Sequence, residues 1–270
     1  METIALLSGV FAGFAAAGQT GAEGPAEKAT PKVAEPAGAA DKIPTKKGDL
    51  EISPIEHATA VLRWDGKTIY VDPVGPAERF RDFPRPDLIL VTDLHGDHLS
   101  AATIAAVAKE TTRLVLPKAA RDALLKEMSG VSRLKPQAIE IGEKAEVAGV
   151  AFEAVAAYNT TPERLKYHEK GRGVGYVLDF AGTRVYFSGD TEDTPEMRRL
   201  RDIDVAFVCM NLPYTMTPEQ AASAILEFRP KVVYPYHYRG QDPAKLKALV
   251  EAKSKAVDVR LREWYPKPVR

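Results

Sequence analysis

Thr92-Asp93-Leu94-His95-Gly96-Asp97-His98 puts two histidines and two aspartates into six residues, directly behind the apolar run Leu88-Ile89-Leu90-Val91. The 270-residue chain has only five histidines, so two in one short loop are a concentration of ligands rather than background. Imidazole and carboxylate are the groups that borderline divalent metals take. A tight loop leaving a buried strand can turn several of them towards one point, and Gly96 is expected to give the backbone that freedom. The bland alternative for the same residues is a polar surface loop without metal.

Outward from this loop, strands and helices follow in order. Residues 50–55 read as a first edge strand, and 58–63 and 67–71 flank Trp64-Asp65-Gly66, a hairpin signal of the Asp-Gly type. Residues 73–86 are a proline-rich loop, and 88–91 is the strand that delivers the motif. Ser100 caps a helix to about residue 109. A short buried strand at 113–116 precedes a helix opened by Pro117. That helix has Ala120, Leu124 and Met128 on one face and Gly130 as its stop. Two hairpins come next, 144–147 with 150–156 and 175–180 with 184–187. Thr194-Pro195 opens a short helix, and 204–210 is a buried strand. Thr217-Pro218-Glu219-Gln220 combines a capping box with proline at the first helical position, for a helix to about Phe228. A strand at 231–234, a helix at 243–252 and a strand at 257–261 finish the chain, and no internal repeat is visible in the residues. Hairpins followed by helix-strand alternation suit two packed sheets with helices outside. Asp72, Asp93, Asn159, Asp190, Asn211 and His237 all lie just past an apolar run, and strand ends on one rim are where sheet proteins build sites.

The heptapeptide resembles the signature of the metallo-β-lactamase superfamily, H-x-H-x-D-H, with Asp93 standing where the first histidine belongs. Asp72-Pro73, Ser188-Gly189-Asp190 and Pro235-Tyr236-His237 follow in the family's order, and the resemblance runs from about Asp49 to the C-terminus. Among the branches the chain looks most like the single-domain group that includes L-ascorbate-6-phosphate lactonase. The resemblance implies an α/β (α+β) fold, the αββα sandwich of two mixed β-sheets with outer helices. It also implies a metal-dependent hydrolase in which a metal-activated water attacks an ester, lactone, amide or phosphoester of a small molecule. The implied cofactor is one or two divalent ions, zinc first, with manganese, iron or magnesium as alternatives.

By position, the resemblance makes His95, Asp97, His98, Asp190 and His237 metal ligands. Asp190 is the carboxylate shared by two ions, having two oxygens with spare lone pairs. Asp93 joins them as a harder oxygen ligand, which turns its half of the centre towards manganese, iron or magnesium and can leave a single ion bound. Asp97 or Asp93 is implied as the group that orients the nucleophile or moves its proton. The family's third histidine falls, by strand ends, at Asn159. His168, about ten residues on, is expected to swing in and take that place, with Asn159 or water as the alternative. Asp72 is expected to orient a ligand histidine from behind, against a plain turn-initiating Asp-Pro. His57 is expected in a supporting role rather than as a ligand.

The loop around His168 carries Arg164, Lys166, Lys170 and Arg172, which would attract an anionic substrate if the loop reaches the rim. Gly171-Arg172-Gly173-Val174-Gly175 has the composition of a phosphate loop but precedes a strand, so that reading is rejected. No serine sits in a G-x-S-x-G elbow. Two other functions compete with a small-molecule hydrolase. One is a degenerate member that binds a metal or ligand without turnover, and the other is nucleic-acid processing. Lys plus Arg and Asp plus Glu balance at 37 each, which argues against a nucleic-acid partner.

Residues 1–18 are apolar and rich in small residues, with Ala15-Ala16-Ala17 as an A-x-A-like cleavage site, although the chain opens Met1-Glu2 without a basic stretch. A possible signal peptide and a periplasmic or extracellular location are therefore expected, with a cytoplasmic location as the alternative. The run is too short to predict stable membrane insertion. Residues 19–48 are Ala, Pro, Gly, Lys and Glu with few bulky hydrophobes, and are expected to be a disordered linker. Residues 49–270 are the expected hydrolase domain. The only cysteine, Cys209, reads as a small buried hydrophobe.

Overall fold

The strand that delivers the motif is apolar at every position because it is covered on both faces. The computed structural model describes residues 40–127 and 133–265. In it Leu88 and Leu90 join an interior cluster shared with a second sheet, while Ile89 and Val91 pack with helix residues outside. Neighbouring strands alternate in the same way, with Ile69 and Val71 inside and Tyr70 outside, and Val115 inside and Leu114 and Leu116 outside. A period of two with both faces apolar is the pattern of a buried sheet.

The first sheet has seven strands in sequence order: β1 (Asp41–Thr45), β2 (Gly48–Glu56), β3 (Thr59–Trp64), β4 (Lys67–Val71), β5 (Leu88–Leu90), β6 (Arg113–Pro117) and β7 (Gln137–Ile139). Strands β1 to β4 pair antiparallel and β4 to β7 parallel. Helices α1 (Ala101–Val107) and α2 (Lys118–Glu127) supply the parallel crossovers, and Ile104, Val107, Ala120 and Leu124 seal the outer face.

The second sheet repeats this plan. Its seven strands are β8 (Lys144–Val147), β9 (Val150–Ala157), β10 (Gly173–Phe180), β11 (Thr183–Phe187), β12 (Val205–Cys209), β13 (Val232–Tyr236) and β14 (Asp258–Val259). The pairing is antiparallel from β8 to β11 and parallel from β11 to β14. Helices α3 (Pro195–Arg198), α4 (Pro218–Phe228) and α5 (Pro243–Glu251) connect the parallel strands. Thr217 accepts from the Gln220 backbone while the Gln220 side chain accepts from the Thr217 backbone, a capping box that stabilises the start of α4 by about 1 kcal/mol. The result is the αββα sandwich. Its duplication is one of topology, which is why no repeat shows in the residues.

Some expectations change. Residues 41–45, inside the span expected to be linker, form β1, so β2 is not the edge strand. Only Ile43 of β1 reaches the core, too weak a hydrophobic signal to read as a strand. β1 is held instead by polar contacts: Arg262 donates to both oxygens of Asp41 at 2.6 Å, and Trp64 Nε1 donates to Thr45 Oγ1 at 2.9 Å. Pro44 suits an edge strand, where a missing N–H leaves no pairing unmade. Strand β7 went unread for a similar reason, with Ile139 its one buried residue. The proposed signal peptide, residues 19–39 of the linker, Met128 and Gly130 lie outside the described residues. Among those described, no helix is long and apolar enough to cross a membrane.

Asp72, Thr92, Asn159, Ser188, Asn211 and His237 each stand just past the C-terminal end of a strand, and His57 lies in the β2–β3 turn.

Candidate metal centre

His98 is the most tightly framed residue of the motif. Its Nδ1–H donates to Asp72 Oδ2 at 2.8 Å, and Thr92 fixes that carboxylate with its backbone N–H (2.7 Å to Oδ1) and its hydroxyl (2.6 Å to Oδ2). All three residues are buried, and Asp72 takes a left-handed φ of 45° to reach them. The frame leaves His98 Nε2 facing His237 Nε2 at 3.2 Å and Asp190 Oδ2 at 3.4 Å. Asp190 arrives through Gly189, whose φ of 60° and close approach to the Val174 carbonyl (2.7 Å from where a Cβ would stand) exclude a side chain.

Asp97 closes this half. Its Oδ2 lies 3.4 Å from His237 Nε2 and 3.0 Å from His57 Nε2, and its carboxylate is 45% exposed, the only acid of the group open to solvent. His57 has its ring centroid 3.7 Å from that of His237, and its Nδ1 meets the Tyr265 hydroxyl at 2.5 Å. Its backbone N–H donates to Trp264 O and its carbonyl accepts from His237 N, so the C-terminal segment ties two histidines together.

The other half gathers Asp93, His95 and His168. His95 Nδ1 lies 2.7 Å from Asp93 Oδ2, and His168 Nε2 lies 3.2 Å from Asp190 Oδ2 and 3.7 Å from Asp93 Oδ2. His168 is buried, and its Nδ1 faces the Tyr214 carbonyl at 3.1 Å. Asn159 stands behind His168, its Nδ2 3.3 Å from His168 Nδ1. It braces the loop, donating from Nδ2 to Arg164 O (2.9 Å) and Tyr214 O (2.6 Å), while its backbone N–H donates to His168 O.

The loop is pinned by Glu192, a residue the sequence did not single out. It is fully buried and accepts from the backbone N–H groups of Thr160 and Thr161, both at 2.6 Å, from both their hydroxyls, and from Arg164. Burial alone would raise its carboxyl, but the Thr161 and Thr160 donors outweigh that and bring it down to about 2.

The charges of the centre depend on one another. Burial works to raise Asp190, and the imidazoles of His237 and His98 more than offset it, holding it well below the usual carboxylate range. Asp93 and Asp97 are held down in the same way, with burial opposed chiefly by His95 in the first case and by His237 and His57 in the second. Burial disfavours a charged His98, yet Asp190 and Asp72 raise it well above the ordinary histidine value. Burial raises Asp72 too, against the opposing pull of His98 and Thr92.

This donor set fits a divalent cation. Both oxygens of Asp93 and Oδ1 of Asp190 are buried without a hydrogen-bond partner. Acceptors buried in that state call for a positive charge between them. Histidine nitrogen and carboxylate oxygen are the ligands of zinc and its neighbours.

The groups open onto a cavity of about 610 Å³ whose outer wall is Tyr167, Leu212, Pro213, Tyr214 and Arg239. The loop cations do not line it as expected. Arg164 is spent on Glu192, Lys170 pairs with Glu196 at 2.9 Å, Lys166 lies over the Tyr167 ring, and Arg172 turns towards Asp93. Arg239, from the turn after His237, takes that place, and no motif marked it. Gly96 has open space around it and no positive φ, so the tight loop does not depend on a glycine there.

Comparison with known proteins fits this geometry. Residues 67–238 match the family described as the beta-lactamase superfamily domain. The chain is 30% identical over 228 residues to a UPF0173 metal-dependent hydrolase of Methanopyrus kandleri, an alignment covering 79% of this chain and 97% of that protein. A solved structure from Parabacteroides distasonis, designated a metal-dependent hydrolase, is 41% identical with a TM-score of 0.75, covering 85% of this chain and 100% of that one. A metallo hydrolase from Ignicoccus hospitalis shares the fold at 24% identity and a TM-score of 0.64, covering 79% and 95%. On the fold, the family match and these relatives together, the chain belongs to the metallo-β-lactamase superfamily, with the UPF0173 metal-dependent hydrolases as its relatives.

Proposed function

We propose that this metal-dependent hydrolase binds its ions between His98, His237, Asp97 and Asp190 on one side and Asp93, His95, His168 and Asp190 on the other. Each half offers two imidazoles and two carboxylates, so zinc is the first candidate for both, and Asp93, standing where the family has a third imidazole, leans its half towards a harder ion. The observation that carries this reading is the convergence of His98 Nε2, His237 Nε2 and Asp190 from three strand ends to within 3.4 Å of one another.

A bound divalent ion supplies Lewis acidity, which acidifies a water and polarises the group under attack. The chain's own residues do the rest. Asp72 keeps the hydrogen of His98 on Nδ1 and so leaves the Nε2 lone pair free. Asp97 is the proton acceptor open to the cavity, and His57 holds its carboxylate in place from behind. Asp190 stands between both halves, with Oδ2 near His168 and His98 and Oδ1 near His237.

We infer a small-molecule ester, lactone or amide with an anionic group as substrate. Arg239 is exposed at the rim, and no carboxylate among the described residues is paired with it. Tyr167, Tyr214, Leu212 and Pro213 offer an apolar wall for the rest of the molecule. An exported location rests on residues 1–18 alone, and N-terminal sequencing of the mature protein reads it.

The test is metal analysis of natively purified protein together with a matched pair of substrates, p-nitrophenyl acetate and mono-p-nitrophenyl succinate. The expected result is bound metal, hydrolysis that stops on chelation and returns with zinc, and preference for the anionic ester. Arg239→Ala should erase that preference by raising KM. Bound metal with no hydrolysis of either ester, nor of lactones or phosphodiesters, would make the protein a binding module instead.

A further inference from the structure

The glycine-flanked Gly171-Arg172-Gly173 has a use in this site, on the reading of the metal centre given above. Gly173 starts β10 so close to the motif that a Cβ there would stand 3.2 Å from the Thr92 carbonyl and 3.4 Å from Asp93 Oδ1. Val174 N donates to that same carbonyl at 2.9 Å. The strand therefore runs directly against residues 92–93 and brings Arg172 to the Asp93 half. Arg172 Nε lies 3.7 Å from Asp93 Oδ1, and a terminal nitrogen lies 3.4 Å from His95 Nε2. The side chain is 20% exposed, and its Nε is buried without a hydrogen-bond partner.

We propose that Arg172 makes the Asp93 half the weaker metal site, so that the centre loads in order, with the His98–Asp190–His237 half filled first. Two independent features of the geometry point this way.

The first is hydrogen-bond polarity. His95 Nδ1 is the nitrogen beside Asp93, and with an ion held there the ring hydrogen sits on Nε2. A ligand histidine is normally supported by an acceptor at its other nitrogen. Here Nε2 meets a guanidinium, which has only donors: as the ring stands Nε2 accepts from Arg172, and an ion on Nδ1 would leave two N–H groups facing each other. His98 has Asp72 as its acceptor and His168 has the Tyr214 carbonyl, while His237 Nδ1 is buried without a partner but meets no cation.

The second feature is charge. A fixed cation beside Asp93 repels an incoming dication, and a mostly buried site screens that repulsion poorly. Among the described residues, the carboxylates of Asp72, Asp97 and Asp190 pair only with histidines, and Arg239, which lines the same cavity, pairs with none of them.

The experiment is calorimetric titration of chelator-treated full-length protein with zinc chloride at pH 8. Wild type should bind a first ion at least about tenfold more tightly than the second, the size of effect that supporting partners of metal ligands have. His168→Ala should keep the first binding event and lose the second. Arg172→Gln, which shortens the side chain, removes the charge and adds an amide oxygen that can accept from His95 Nε2, should tighten the second ion and narrow the gap about fivefold or more. Arg172→Lys should keep the gap. Equal affinities in wild type, or loss of the tighter event in His168→Ala, would overturn the proposal even if neither Arg172 variant folds. So would an unchanged gap in a folded Arg172→Gln. Failure of wild type to bind zinc, manganese or iron at all would count against the proposed metal centre itself, a different outcome from a wrong loading order.

Discussion

The His98 half and the Asp93 half of the site are separated by five residues of sequence and share Asp190, yet they are supported by different parts of the protein. Behind His98 stand Asp72 and Thr92, both buried at the ends of adjacent strands of the first sheet. Behind His168 stands a loop that crosses from β9 to β10 and is held by the buried Glu192 and by Asn159. One half inherits its geometry from strand register, and the other depends on hydrogen bonds to a loop. That difference teaches where the site is rigid and where it can be tuned. A ligand framed by two strands cannot move without moving the sheet, while a ligand on a clamped loop moves when the clamp loosens.

The largest effect is expected where the comparison breaks down, at the residue common to both halves. Asp190→Ala should lower kcat/KM at least about a thousandfold and lose both ions, with far-UV circular dichroism unchanged. Metal content near the wild-type level in a folded variant would separate Asp190 from the centre.

Asp72→Asn tests the strand-built half. The amide keeps the shape but cannot fix the His98 tautomer as a carboxylate does, so the tighter ion should weaken by about 10- to 100-fold while the looser one changes little. Competition with a zinc chelator reads this directly, and equal weakening of both ions would mean that the halves are not supported separately.

Glu192→Gln tests the loop-built half. Its folded pKa, about 2, is below the ordinary 4.5. A depressed carboxylate contributes stability that is present above its unfolded pKa and lost as pH falls through the folded value. The window therefore runs from pH 4.5 down to about 2. For this fully buried side chain the contribution is about 3 kcal/mol. Urea unfolding should show the difference between wild type and variant shrinking across that window. The second ion should weaken and the first should hold. A pH-independent difference would remove Glu192 as the charged clamp.

The smallest effect is expected at Lys170, whose partner is Glu196 on the surface rather than anything in the cavity. Lys170→Ala should change KM for an anionic ester less than about twofold, the scale of an exposed ion pair. A large, salt-sensitive change would return the loop cations to substrate binding in place of Arg239.

Those two lysine and arginine positions also mark how far the sequence could be read. Residues 93–98 cluster in space because they cluster in the chain, and Asp190 and His237 are marked by short strand-end motifs, so the candidate ligands were legible. Hairpins with two-residue turns and the capping box of α4 were legible because their signals are local. What escaped was non-local. Glu192 and the Thr160-Thr161 pair that it binds are about thirty residues apart, and nothing local links them. Arg239 faces the cavity only because of how its turn lies after β13, while the four loop cations that looked more promising are drawn off by Glu192, Glu196, Tyr167 and Asp93. Tyr265 reaches His57 from the far end of the chain. β1 escaped because its attachment is polar, through Asp41 and Thr45, and hydrophobic patterning registers only Ile43.

The most direct test of the central claim is crystallographic: crystals grown with one equivalent of zinc, measured on either side of the zinc absorption edge. The account predicts a single strong anomalous peak about 2.0–2.1 Å from His98 Nε2 and His237 Nε2, with Asp190 in contact and little density beside Asp93. A peak held by Asp93, His95 and His168 alone, or zinc found only at surface histidine and carboxylate groups away from the rim, would contradict it.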